Sequence, residues 1–161
     1  MNSYSRLTLA DTKKVLPKFE GEDECYHLLP KRWFEKSHTQ SILGCKTWYY
    51  SLGGSDCGKF TLRLLADIAE RFSKTFCQWG SSGGGGADSG LQNSRLMEHS
   101  DAPILGFCKY IRRDGKAHIC GATITEEAPD KPYFFERTET DIRQVYMNPQ
   151  EFESIIYIRA F

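Results

Sequence analysis

Three residues of this chain have the types and spacing for covalent chemistry: Cys57, His118 and Glu136. The stretch SLGGSDCGKFTLRLLADIAERF, Ser51 to Phe72, is a glycine-rich turn that runs into an amphipathic pattern. Cys57 stands where the turn becomes the helix. A thiol reacts as its thiolate, and the unpaired N–H groups and dipole at a helix start favour negative charge. The nearby glycines leave room for a substrate carbonyl, and the Cys57 N–H is placed to hold an oxyanion. Tyr50 or Ser51 would add a polar contact there, by proximity in sequence. Such a nucleophile needs a base, and the base needs an orienting group.

Four histidines are available as the base. His27 and His38 lie upstream in segments without a clear pattern, and His99 lies in a polar stretch. His118 opens AHICGATI, the second strand of a hairpin whose first is ILGFCKYI. Asp114-Gly115 between them is a favoured type I′ turn pair. A two-residue turn there sets His118 opposite Ile111. His118 then shares an apolar face with Cys120, Ala122, Ile124 and, across the pair, Phe107. That face is the expected packing surface for the helix, with the histidine at its rim near Cys57. The following strand, PYFFER, runs back and returns Glu136 to the level of His118, which makes Glu136 the orienting candidate. Asp130, expected in the turn, is a weaker one.

The elements that must position these groups follow from patterning. From Cys57 to about Phe76, Leu62, Leu65, Ala69, Phe72 and Phe76 recur at helical steps and define a core face. Ser55 or Asp56 is a natural N-cap. TLADTKKVL reads as a short helix stopped by Pro17, CKTWYYSL as a strand ended by Gly53 and Gly54, and IRQVYM and FESIIYIRAF as two further strands. Residues 80–90, GSSGGGGADSG, are expected to form a flexible loop. A helix followed by a run of strands predicts one α+β domain over 1–161, with a central helix on an antiparallel sheet of four to six strands.

SDCGKFTLRLL resembles the cysteine-bearing helix start of the papain-like cysteine hydrolases, in particular the compact NlpC/P60 and CHAP types, and HICGATI resembles their histidine at a strand start. The resemblance covers Ser51 to Phe161 and leaves residues 1–50 unassigned. It implies hydrolysis of an amide or ester, or acyl transfer, through an acyl-enzyme, with Cys57 as nucleophile and His118 as base and then acid. The group's third residue is often His, Asn or Gln, so Glu136 is a departure. The implied partners are a peptide or protein substrate, with no cofactor and no metal.

Two other readings stay open. One is a non-enzymatic interaction or inhibitor protein of phage, viral or bacterial type. It would bind a host complex through exposed aromatics, the glycine loop and the basic hairpin tip of Lys109, Arg112, Arg113 and Lys116. The other is a nucleotide binder: Gly53, Gly58 and Lys59 fit G-x-x-x-x-G-K. Phe60 then stands where a magnesium-binding Ser or Thr belongs, and the strands read as antiparallel. Cys25, His27, His38 and Cys45 have atypical spacing for zinc. The 161 residues balance 21 cationic against 21 acidic side chains, which argues against a partner held mainly by phosphate charge. None of the six cysteines forms a Cys-x-x-Cys pair, and free thiols are the expectation. The N-terminus lacks the apolar core of a secretory signal, so the expected setting is cytoplasmic, or export without such a signal, with no membrane insertion.

Overall fold

The computed structural model describes residues 6–35, 57–81, 102–137 and 142–161, and the side chains of 74–81 are outside the description. The fold is α+β. A short strand β1 (Arg6–Thr8) leads into α1 (Leu9–Val15). Thr8 caps α1 by accepting from the Asp11 N–H at 3.1 Å, and the helix ends before Pro17, as its sequence predicts. Two more strands, β2 (Phe19–Glu20) and β3 (Cys25–His27), precede a 3-10 helix at Lys31–Phe34. The long helix α2 covers Cys57–Ser81, so it includes the first two residues of the expected loop. Then come β4 (Gly106–Ile111), β5 (Ala117–Thr125), β6 (Ala128–Arg137), β7 (Ile142–Val145), the short α3 (Pro149–Glu153) and β8 (Tyr157–Ala160).

Six strands form the main sheet in the order β2-β8-β4-β5-β6-β7, and β1 pairs with β3 in a small antiparallel sheet. The expectation of an antiparallel sheet needs one correction: β2 and β8 run parallel. FESIIYIRAF is also not one strand, because its start completes α3. Asn148 and Glu151 form a reciprocal capping box there with Pro149 in the first turn, and that local signal overrides the strand-like composition.

The sheet is covered on both faces. Phe60, Leu64, Leu65, Ile68 and Phe72 form the buried stripe of α2. The last four pack with Trp33 and Phe34 of the 3-10 helix over Leu105, Tyr133, Phe135 and Ile142. Leu62, expected on that stripe, is 47% exposed instead. The other face carries Cys108, Tyr110, Cys120, Ala122, Ile124, Phe134 and Ile158, covered by Leu16, Phe19, Tyr26 and Leu28 from the first segment and by Ile155. The helix therefore packs on the face opposite to the one the sequence suggested.

The hairpin also differs by one residue of register. Ile111 pairs with Ala117 and His118 with Tyr110. The turn does not have left-handed backbone at both Asp114 and Gly115, as type I′ requires. Among the described residues only Gly115 (φ 80°) and Lys18 (φ 62°) have positive φ. Gly115 N–H donates to Arg112 O at 2.8 Å and Arg112 N–H to Lys116 O at 2.9 Å. This is a longer turn closed by a left-handed glycine. The slip moves Phe107 to the α2 face and puts Tyr110 and Cys108 beside His118 and Cys120. CKTWYYSL, Gly53, Gly54, and the cap at Ser55 or Asp56 lie outside the described residues. No described helix is long and apolar enough to cross a membrane.

Candidate active site

Cys57 begins α2 on the same stripe as Phe60, Thr61 and Leu64, because positions three, four and seven residues apart share a helix face. Thr61 ties this first turn to the sheet: its hydroxyl donates to Ile119 O at 3.4 Å. Ile119 is the neighbour of His118 in β5, so the helix start is brought to the strand end that carries the histidine. Cys57 is a free, half-buried thiol.

His118 and Glu136 are directly joined. Their Nε2 and Oε2 atoms are 2.8 Å apart, and each side chain is 15% exposed. Both lie on the Cys120 face of the sheet, because Gly121 pairs with Phe135 and sets Cys120 level with Glu136. The Tyr110 ring meets the imidazole edge-on, with centroids 5.7 Å apart. The other carboxylate oxygen, Oε1, accepts from Arg143 Nε at 2.7 Å. Its hydrogen bond from His118, and then the one from Arg143 with that cation's charge, hold the Glu136 carboxyl below the ordinary glutamate range despite its burial. In the tautomer that donates Nε2–H to Glu136, Nδ1 is the acceptor of the ring. Burial pushes the Tyr110 phenol and the Cys120 thiol up, so both stay protonated beside the pair.

A cavity of about 380 Å³ opens at this end of the strands, and Cys57, Thr61, His118 and Glu136 all line it. Arg112 and Lys116 of the hairpin tip line it as well. The cysteine comes to the cavity from the α2 side and the histidine pair from the opposite face. No hydrogen bond joins Cys57 to His118 among the described residues. The three candidates from the sequence thus share one cavity, with the second and third in contact.

The remaining candidates are dispersed. His27 is buried, with its ring 5.5 Å from that of Phe72. Asp130 is not in a turn but in β6, exposed near its start. Tyr50, Ser51, His38, Cys45 and His99 lie outside the described residues, as does Gly53 of the G-x-x-x-x-G-K pattern. The strands beneath α2 pair antiparallel, and Lys59 is exposed on the helix. Of the cysteines, Cys108 and Cys120 are free and buried, and Cys25 is free and half-buried. No family model, curated protein or solved structure matches this chain. Arg143 escaped the sequence reading. Its signal was a cross-strand opposite-charge pair with Glu136, visible only once β6 and β7 are set in register.

Proposed function

We propose that the chain is a papain-like thiol hydrolase that cleaves an amide or ester bond through an acyl-enzyme. The observation that carries this reading is the single cavity shared by the Cys57 thiol at a helix start and a His118–Glu136 pair at 2.8 Å. In this scheme His118 Nδ1 takes the proton from Cys57 Sγ. The thiolate attacks the substrate carbonyl carbon, and the Cys57 N–H at the start of α2 is offered to the oxyanion. The imidazolium returns its proton to the leaving amine or alcohol as the C–N or C–O bond breaks, which leaves a thioester. Water, deprotonated by His118, then attacks the thioester and releases the acid and Cys57. Glu136 holds the ring and stabilises the imidazolium, and Arg143 holds Glu136. Unliganded enzymes often leave such pairs open until substrate binds.

The test is alkylation by iodoacetamide, followed by site through mass spectrometry, with Cys25 as the internal reference. Cys57 should label at least tenfold faster than Cys25 at neutral pH, and His118→Ala should remove the advantage. A Cys57 that reacts like Cys25 and ignores the His118 substitution overturns the hydrolase reading. The approach of Cys57 and His118 from opposite faces of the sheet favours a second reading, an interaction protein. In that case Cys57→Ala would leave partner binding intact.

A further inference from the structure

The cavity is charged asymmetrically. Arg112, Lys116 and Arg137 line it against one carboxylate, Glu136. Both oxygens of that carboxylate are already occupied, by His118 and by Arg143. Arg112 is paired with Asp114 at 3.0 Å. Arg137 extends its charge toward Asp67 of α2. The Lys116 ammonium forms no salt bridge among the described residues, and its charge reaches Asp114 only at longer range.

The tip that presents these cations is fixed in place. The Arg113 N–H donates to Glu151 Oε2 at 3.2 Å, and the Ile111 N–H donates to Ser154 Oγ at 3.0 Å. Glu151 is itself locked by its capping box with Asn148. Within the tip, the Lys116 N–H donates to Asp114 Oδ1 at 2.9 Å, and this bond, with the charges of Arg112 and Lys116, holds the Asp114 carboxyl below the ordinary aspartate range. A tip held at both ends presents its charges at a fixed place beside the cavity, with little ordering cost on binding.

We propose that the substrate is a peptide with a free carboxylate near the bond to be cut, and that Lys116, assisted by Arg112, holds that carboxylate at the hairpin side of the cavity. A single ammonium outside any salt bridge, next to a partly neutralised guanidinium, suits a monoanion better than a phosphate dianion. The inference rests on the hydrolase reading, because it places the carboxylate relative to Cys57.

The experiment uses two small alkylating probes on the whole chain, iodoacetate and iodoacetamide. They differ mainly in charge, and each forms an S–C bond to the Cys57 thiolate with loss of iodide. Two opposite charges about 6 Å apart in an effective dielectric of about 40 to 80 attract by the equivalent of about three- to tenfold in rate, and iodoacetate should be favoured by a factor of this order. The iodoacetate-to-iodoacetamide rate ratio at Cys57 should exceed that at Cys25 by this factor. It should fall by about the same factor in Lys116→Gln, be restored in Lys116→Arg, and shrink at about 1 M salt, where the screening length is about 3 Å. The iodoacetamide rate should fall less than the iodoacetate rate in Lys116→Gln, because the lost cation supports the thiolate for both probes but attracts only the charged one. If Cys57 labels fast with iodoacetamide but the ratio ignores Lys116→Gln, the carboxylate site is overturned and the hydrolase reading stands. If Cys57 labels no faster than Cys25 with iodoacetamide, both fall. Stronger protection by inorganic phosphate than by acetate at equal ionic strength would replace the carboxylate with a phosphate.

Discussion

Replacing Glu136 with glutamine isolates the charge at the centre of the candidate site. The carboxylate receives two donors on its two oxygens, His118 Nε2 at 2.8 Å and Arg143 Nε at 2.7 Å. Glutamine keeps the shape but presents one oxygen and one NH2, so one of the two donors meets another donor. A hydrogen bond to a charged group is worth about 1.5–3 kcal/mol, and a neutral one about 1 kcal/mol. The Arg143 side chain is 65% exposed, so its ion pair adds no more than about 1 kcal/mol. Glu136→Gln should therefore cost about 1–2 kcal/mol of stability near pH 7. The folded-state carboxyl lies below its ordinary value, so its contribution is complete above the ordinary glutamate range and disappears as pH falls through the folded value. Urea unfolding of both proteins at about pH 7 and about pH 3.5 should show the gap closing as the solution becomes acidic. A gap that is constant across that range, or a glutamine variant at least as stable as wild type at neutral pH, would show that the charged pair does not act as described.

Other substitutions probe the frame around the site. A Cβ at Gly121 would come within 2.4 Å of the Phe135 ring, which is fully buried and packed 4.7 Å from Phe34. Gly121→Ala should cost about 1–3 kcal/mol by overpacking, read as a lower urea midpoint, and a neutral result refutes the close approach. Asn148→Ala opens the α3 capping box and should cost about 1 kcal/mol, with faster amide exchange at Arg113 as the hairpin clamp loosens. Leu65→Ala should cost about 2–5 kcal/mol, whereas Leu62→Ala, three residues earlier on the exposed side, should stay within about 0.5 kcal/mol in the same assay.

Much of the frame was legible because it is written in local chemistry. Thr8 and Pro17 bound α1, and the periodic apolar residues after Cys57 build α2. The alternation in AHICGATI and PYFFER puts His118 and Glu136 on one face. The misreadings arose where a non-local or one-residue effect decides. Whether Asp114-Gly115 makes a two-residue or a longer turn is a small local energy difference, yet it reverses which hairpin partners share a face. The face on which α2 packs depends on what covers the other side, and that cover comes from Leu16, Phe19, Tyr26 and Leu28, more than a hundred residues before Ile155. Leu62 fits a helical period from Leu65 and Phe72, but the observed stripe is centred on Leu64, Leu65 and Ile68, which turns Leu62 outward.

The parallel pairing of β2 with β8 has a consequence for assembly in time. Phe19 aligns with Ile158, and β8 also pairs with β4, so β8 is an interior strand joined to a partner far earlier in the chain. During synthesis β2 and one edge of β4 wait unpaired until residues 157–160 emerge. A nascent chain stalled before that point exposes two open strand edges, the kind of surface that recruits other chains. Closing the sheet joins parts of the chain far apart in sequence, which is a slow step. A released chain truncated just before Tyr157 should therefore be far more sensitive to protease than the chain that carries residues 157–161.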